Sequence, residues 1–567
     1  MVMNNPEMPS KKSRKFTRKG ILFNYRLFIL LLLIIFLLIR VQGLETTKIA
    51  GGDYDRYLDT LWAYEIKKDN YVPKHPFPNS PPSLYSNANG YRFNLIPALI
   101  RLFLHLVSDI KIEDTRSLPV LEIFFFLIIY LLARTLYQKR MESVILCLFL
   151  YFFFMYIVCT YINGINRIGL FYSYLFLFIY VFLKTTNRSI TKLSSVGLIF
   201  LLYLIPLYST SAITISIFLL ILYLFHFLEH RRFSQFFVVT IYISACILYY
   251  FLIYEFMGHT IIAINNRLEN TGLNINLFKF IHLGAWEGKF VYTPHYTIAE
   301  RFFLVYPYLI LGFLLLFALR TSIVTVKRTK KLNSYIILLF SFLLYGLMAF
   351  IVNAIIVFPT SGLDVIDIFS FFSPLFAAGM LDGIFLKDRY KEQERTMKVS
   401  GLNRYRDVSR ISSSKILQLI FLFLILSLGI YSNFNYMTLE TRKEEKVTSD
   451  EINACLWLYK YQLNDSTVTS DFHMISTYVT LNKFNASHFL PMKDDEMIIE
   501  LYYRVNHTYL HEKKVNYYIV SYDMRHYYIK HFIGTRTVPN PDLDNKLSVY
   551  NKVYDNNQLI FEITYSH

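Results

Sequence analysis

The sequence predicts a mainly α, polytopic membrane protein of about eleven transmembrane helices, with a small extracytoplasmic α/β domain at its C-terminal end. Three observations carry this. The 567 residues are 54% hydrophobic and 18% aromatic, with 51 Phe and 46 Tyr and a mean hydropathy of +0.35, outside the range of ordinary soluble domains. Apolar runs of about 18 to 23 residues recur along the chain, each long enough for a hydrocarbon core of roughly 30 Å. Beyond Asn433 the pattern changes to short alternating stretches separated by turn residues.

The spans begin near Leu27, Leu118, Val144, Ile168, Ser194, Ile213, Phe236, Phe302, Tyr335, Asp367 and Ile416. Pro206 and the short turn Tyr208-Ser209-Thr210-Ser211 leave little room between the fifth and the sixth. No small-residue cleavage pattern follows the first, which reads as a retained helix and not as a removed signal peptide.

Lys11, Lys12, Arg14, Lys15, Arg18 and Lys19 precede the first span and place the N-terminus in the cytosol. Counted from there, Lys139 and Arg140, Arg231 and Arg232, residues 327–331 and the loop 387–415 fall on the same side. The formal charge of +17 and pI near 9.3 are therefore a topology signal, with contact to anionic lipid heads. Nucleic acid is not an expected partner, since no basic residues interleave with exposed aromatics in a soluble module. The organisation expected is a basic cytosolic N-terminus (1–26), a transmembrane domain (27–432) with a first outer loop (41–118), and an extracytoplasmic α/β domain (433–567), in the plasma membrane. Of the four cysteines, Cys147, Cys159 and Cys246 lie in spans and Cys455 in the tail, so no outer disulfide is expected, nor any Cys/His metal site.

The first outer loop holds Gly51-Gly52-Asp53-Tyr54-Asp55. Two carboxylates at a membrane face can take a proton from an acceptor or hold a divalent cation against a phosphate; an isolated Asp-x-Asp otherwise only solvates a helix start. Tyr54, Leu58, Leu61, Trp62 and Ile66 then recur at helical spacing, and Lys67, Lys68 and Asp69 close the helix. Such a short amphipathic helix lies in the interface plane. A Pro-rich crossing, Pro73 to Pro82, leads to a second interfacial helix from about Asn94, with Leu95, Ile96, Leu99, Ile100, Phe103 and Leu106 on its apolar side. The chain thus dips to the membrane twice and flanks the acidic motif.

An acidic motif in the first outer loop, two interfacial "jaw" helices, many spans and a soluble outer C-terminal domain together resemble the GT-C glycosyltransferases, which include oligosaccharyltransferase catalytic subunits and protein O-mannosyltransferases. Gly52-Asp53-Tyr54-Asp55-Arg56-Tyr57 occupies the place of the family's first-loop motif, 94–107 resembles the second jaw helix, and Arg134 matches a cytosolic basic residue at the end of the second span. Thr297-Ile298-Ala299-Glu300 resembles the Thr-Ile-x-Glu motif of prokaryotic oligosaccharyltransferases, whose Glu helps hold acceptor and metal. The tail lacks the Trp-Trp-Asp-Tyr-Gly acceptor motif, and the third-to-fourth connection offers Arg167 where that family has a second acidic pair. The resemblance implies transfer of a sugar, a simple one in preference to a sequon-directed oligosaccharide.

For a polyprenyl-phosphate-linked sugar donor and a protein, glycan or lipid acceptor, the reaction needs a base on the outer side and positive charge near the phosphate. Asp53 is the expected base, because the two preceding glycines let the backbone approach a substrate. Asp55 orients it or shares a divalent cation, Mg or Mn, with Glu300. Lys74, His75, Arg92, Arg167 and Arg301 are the expected substrate-binding cations, with His259, His282 and His295 in the same later outer loop as Arg301. Each reads equally as a headgroup anchor. Glu255, Asp364 and Asp367 stand near outer ends of spans, where an acid is costly and often functional.

In the tail, Thr448-Ser449-Asp450-Glu451 has capping-box spacing before a helix expected to bury Ile452, Cys455, Leu456 and Tyr459. Strands are expected at 467–469 and 517–521, helices from about His473 and Glu496, and a hairpin turning at Asp555-Asn556-Asn557. The alternation resembles the outer tails of archaeal membrane glycosyltransferases. Asn464, Asn485 and Asn506 head N-x-Ser/Thr triplets, marking the tail as a glycosylation acceptor. The competing readings are a polysaccharide polymerase or ligase, which would use the loop 257–301, and a flippase or transporter of lipid-linked sugars, which would show internal repeats or broken helices that this sequence lacks.

Overall fold

A computed structural model describes chiefly residues 27–38, 95–155, 167–185, 191–252, 298–355, 365–379, 449–471 and 488–564, with gaps inside some of these ranges and isolated residues such as Ala63, Ile66, Ile165 and Met474 beside them. An apolar helix at Leu27–Leu38 is followed by α1 (Leu95–Ser108), α2 (Val120–Tyr137), α3 (Met141–Phe149) running into a π-helical turn at Leu150–Phe154, α4 (Arg167–Thr185), α5 (Thr191–Leu207), α6 (Ser209–His230), α7 (Phe236–Leu252), α8 (Ile298–Thr329), α9 (Ser334–Ile355) and α10 (Val365–Ala377). Only residue 208 separates α5 from α6, in keeping with the short turn expected there. Among the described residues, 120–137 and 306–329 are long and apolar enough to cross a membrane, and the other bundle helices are shorter apolar pieces.

The bundle is an aromatic core built on α10. This helix packs against α8, α9, α3 and the π-helical turn, while α4 packs on α2 and α5, and α6 on α7 and α9. Phe371 of α10 stacks on Tyr172 at 3.7 Å and 9° and meets Phe125 edge-on at 6.0 Å. Such ring pairs add to area burial. Pro374 stands inside α10, and the last carbonyls of any helix lack intrahelical donors. Tyrosine hydroxyls supply them: Tyr137 donates to Leu375 O, Tyr335 to Phe376 O at 2.8 Å and, one turn earlier, Tyr151 to Phe371 O. Helix ends also pair. Tyr25 donates to Glu142 Oε1 at 3.0 Å, and Leu332 N to Glu229 Oε2 at 3.2 Å, so the start of α3 meets the start of the first helix and the end of α6 meets the start of α9.

The C-terminal segment adds α11 (Ser449–Tyr461), β1 (Thr467–Ser470), β2 (His488–Pro491), a π-helical turn at Ile498–Tyr503, α12 (His507–Glu512), β3 (Val515–Val520), α13 (Tyr522–His526), β4 (Ile529–Lys530), β5 (Arg536–Thr537), α14 (Leu543–Leu547), β6 (Asn551–Asn556) and β7 (Gln558–Glu562). A five-stranded sheet has the order β2-β1-β3-β7-β6, with β2, β1 and β3 parallel and β3, β7 and β6 antiparallel; β4 and β5 form a separate pair. The strands expected at 467–469 and 517–521 are β1 and the end of β3. The hairpin is tighter than expected, because β6 runs through Asn556 and Asn557 alone turns the chain at φ 56°, a conformation Asn tolerates.

The buried face of α11 differs from the expected one. Glu451, Ala454, Cys455 and Leu458 are buried, whereas Leu456 and Tyr459 are exposed and Ile452 lies between. Cys455 is buried as expected, while Ala454 and Leu458 take the buried places expected for Leu456 and Tyr459. Asn506 is also committed otherwise than the triplet reading suggests. Its Oδ1 accepts from Thr508 N and Tyr509 N as the N-cap of α12, and its Nδ2 donates to Glu500 Oε2 at 2.7 Å. Asn464 and Asn485 lie outside the described residues.

Candidate functional site around helix α1

The sequence LIPALIRLFLHLVS of α1 presents three faces. Successive residues turn by about 100° around an α-helix, so positions four apart form stripes. Ile96, Ile100 and Leu104 pack against the bundle core. Ala98 and Leu102 join a second core made with Ala63 and Ile66 of the first loop, Ala454, Cys455 and Leu458 of α11, and Val468, Tyr517 and Ile560 of the sheet. Leu99, Phe103 and Leu106 stay exposed, Phe103 at 63% and Leu106 at 70%. The single apolar side expected from the sequence is thus divided between the bundle and open surface, and the C-terminal domain rests on both first-loop segments.

Ala63, Tyr64 and residues 66–68 are helical where described, and Asn70 at φ 56° returns its N–H to Ile66 O at 2.9 Å, a left-handed helix end. The two segments are bonded to each other as well. Lys67 Nζ lies 2.7 Å from His105 Nε2, and His105 Nδ1 lies 2.7 Å from Ile110 O. An ammonium can only donate, which makes Nε2 the acceptor and Nδ1 the protonated nitrogen.

Arg101 stands between the bundle stripe and the C-terminal-domain stripe of α1 and is fully buried. Its Nη2 donates to Ile165 O at 3.2 Å, in the connection that leads into α4. Glu122, in the first turn of α2, is buried as well. Sequence reasoning passed over both. The signal was present, since Arg101 is a lone charge in an apolar helix and Glu122 an acid about three turns from the only other charge of α2, and such residues are functional candidates.

Asp53, Asp55, Lys74, His75 and Arg92 lie outside the described residues, as do Glu255, His259, His282, His295 and Asp364. Arg167 opens α4, Glu300 and Arg301 lie in the first turn of α8, and Asp367 lies near the start of α10; their side chains are outside the described atoms. Arg134 is exposed in the last turn of α2. Among the described residues no group of three or more His, Cys, Asp or Glu could hold a metal ion.

No family model matches the sequence, and no curated protein sequence matches it. Solved structures do. The oligosaccharyltransferase of Archaeoglobus fulgidus in its apo form superposes with a TM-score of 0.53 at 12% identity, over 88% of this chain and 70% of that one. Archaeal oligosaccharyltransferase AglB from the same organism, in complex with an inhibitory peptide and a dolichol-phosphate, gives the same values. The chain has the fold of the GT-C glycosyltransferases. A structure of the A. fulgidus enzyme tethered to an acceptor peptide containing the NVT sequon matches at 0.53 and 13% identity, over 88% and 69%. ArnT from Cupriavidus metallidurans bound to undecaprenyl phosphate aligns at a TM-score of 0.49 and 8% identity, over 96% and 98%.

Proposed function

We propose that the protein is a membrane glycosyltransferase that moves a sugar from a polyprenyl-phosphate-linked donor to a protein, glycan or lipid acceptor on the outer face of the plasma membrane. The observation that carries this reading is α1, held between bundle and C-terminal domain in a fold shared with an oligosaccharyltransferase. The dolichol-phosphate and peptides held by AglB structures support a polyprenyl donor and favour a peptide acceptor. The pairing of helix ends is consistent with about eleven alternating spans. The basic clusters then put the N-terminus in the cytosol and the α/β domain 433–567 outside.

In this reading Asp53 takes the proton from the acceptor hydroxyl or amide as the new bond forms at the anomeric carbon. The bond from that carbon to the phosphate oxygen breaks, and the phosphate leaves with the electron pair. Lys74, His75, Arg92, Arg167 and Arg301 supply the positive charge that stabilises the leaving phosphate. The A. fulgidus enzyme has been solved with Zn and sulfate, which raises the question of a metal here. Asp55 and Glu300 are hard oxygen donors and fit Mg or Mn better than a thiolate-preferring ion. Such an ion, when bound, neutralises charge on the phosphate and adds nothing to the proton path through Asp53.

The test is transfer from a radiolabelled polyprenyl-linked donor in purified membranes. Asp53→Asn is expected to retain expression and lose transfer by at least about a hundredfold. Activity within a few-fold of wild type removes Asp53 from the mechanism.

A further inference from the structure

We propose that Arg101 is a positioning residue for the donor side of this reaction: by holding the Ile165 carbonyl it fixes the backbone two residues before α4, and with it the place where Arg167 starts that helix. The proposal rests on the transferase reading. Arg101 stands between two apolar stripes of α1, where Ile100 and Leu104 face the bundle and Ala98 and Leu102 face the C-terminal domain. A seam that needed only filling would be better served by Leu or Met, because a guanidinium taken out of water costs several kcal/mol unless its donors are used. One of its donors reaches across 64 residues of sequence to a backbone carbonyl. That carbonyl lies two residues before the first residue of α4.

The geometry turns a side-chain bond into a backbone constraint. Ile165 is itself buried, so this residue is held by its apolar side chain and by its carbonyl together. Losing the second restraint lets the start of α4 shift relative to α1. The cost then falls on whatever the head of α4 presents to the donor. Lysine keeps the charge but replaces the planar fork with a single flexible head, so Arg101→Lys separates charge from geometry.

The experiment is a double-mutant cycle on the full-length protein in detergent, with Arg101→Met and Arg167→Met alone and together and Arg101→Lys beside them. Donor and acceptor KM are measured separately, and the affinity for dolichyl phosphate is measured directly. Protection of Cys455 from alkylation reports that the seam is intact. Arg101→Met is expected to raise donor KM and the Kd for dolichyl phosphate by about tenfold or more, with acceptor KM unchanged and Arg101→Lys in between. In the Arg167→Met background that loss should vanish. Additive losses, an unchanged donor KM, or Cys455 exposed in both Arg101 variants each overturn the proposal. A wild type that binds dolichyl phosphate but transfers no sugar overturns the transferase reading, while the cycle is still read in the Kd. A wild type that neither transfers nor binds removes both.

Discussion

Lys67 Nζ and His105 Nε2 meet at 2.7 Å and join two first-loop segments whose intervening crossing is Pro-rich. The contact is exposed, which limits its worth, but it acts on segments already aligned by Ala63, Ile66, Ala98 and Leu102. Lys67→Met and His105→Phe are each expected to lower stability by roughly 0.5–1 kcal/mol, and the double variant by no more than one of them. Thermal unfolding of the four proteins in one detergent checks it. Full additivity would mean that the two side chains act separately.

Cys455 offers a reporter for the same junction. Burial pushes its thiol well above the ordinary range, and Glu451 and Asp471 push it further in the same direction. Thiolate, not thiol, reacts with alkylating reagents. Cys455 should therefore resist iodoacetamide at pH 8 in the folded protein and react once denaturant is added. Deleting the first loop, which contributes Ala63 and Ala98 to its surroundings, should expose it without denaturant. Peptide mass spectrometry distinguishes Cys455 from Cys147 and Cys246, which are buried in the bundle.

Gly429, in a short helical stretch at residues 427–431, tests a contact with the π-helical turn. A Cβ at this position would run into the ring of Phe154, which is fully buried. Gly429→Ala is expected to cost about 1–3 kcal/mol through overpacking. Phe154→Leu in the same chain should return part of it. A Gly429→Ala protein that melts with wild type would mean that this helix sits elsewhere.

Much of this architecture was legible from single residues and periods, and the losses have physical causes. Helix α1 declared itself by apolar spacing, and β1 and β3 by short β-branched and aromatic runs. The division of α1 into a bundle face, a C-terminal-domain face and a free face was not legible, because periodicity tells apolar from polar and not one apolar partner from another. The same limit misplaced part of the buried side of α11, where Cys455 is buried as expected but Ala454 and Leu458 take the places given to Leu456 and Tyr459. Asn506 read as an acceptor triplet when its position before α12 also made it a cap. Arg101 and Glu122 were visible as charges in apolar helices but drew less notice than the paired acids at 53 and 55.

The proposed assembly of the site across the chain has its own test. Glu300 opens α8, and in the transferase reading it meets Asp53 or Asp55 around one cation or substrate. Cysteines placed at 53 and 300 should cross-link with a reagent spanning roughly 10 Å, and chelation with EDTA should abolish transfer that added Mg or Mn restores. Cross-links from 300 only to surface lipid-facing positions would separate the two segments and end that part of the mechanism.

The seating of Ala98 and Ala63 on α11 and the sheet also sets a timetable for biogenesis. Their partners, Cys455 to Ile560, leave the ribosome more than three hundred residues after α1. At about 5–20 residues per second, the first loop waits tens of seconds with that face uncovered. During this interval the apolar stripe has only lipid headgroups or a chaperone to meet, and a chain interrupted before residue 449 never covers it. Quality control that surveys uncovered helices would therefore read the absence of the last domain at the first loop.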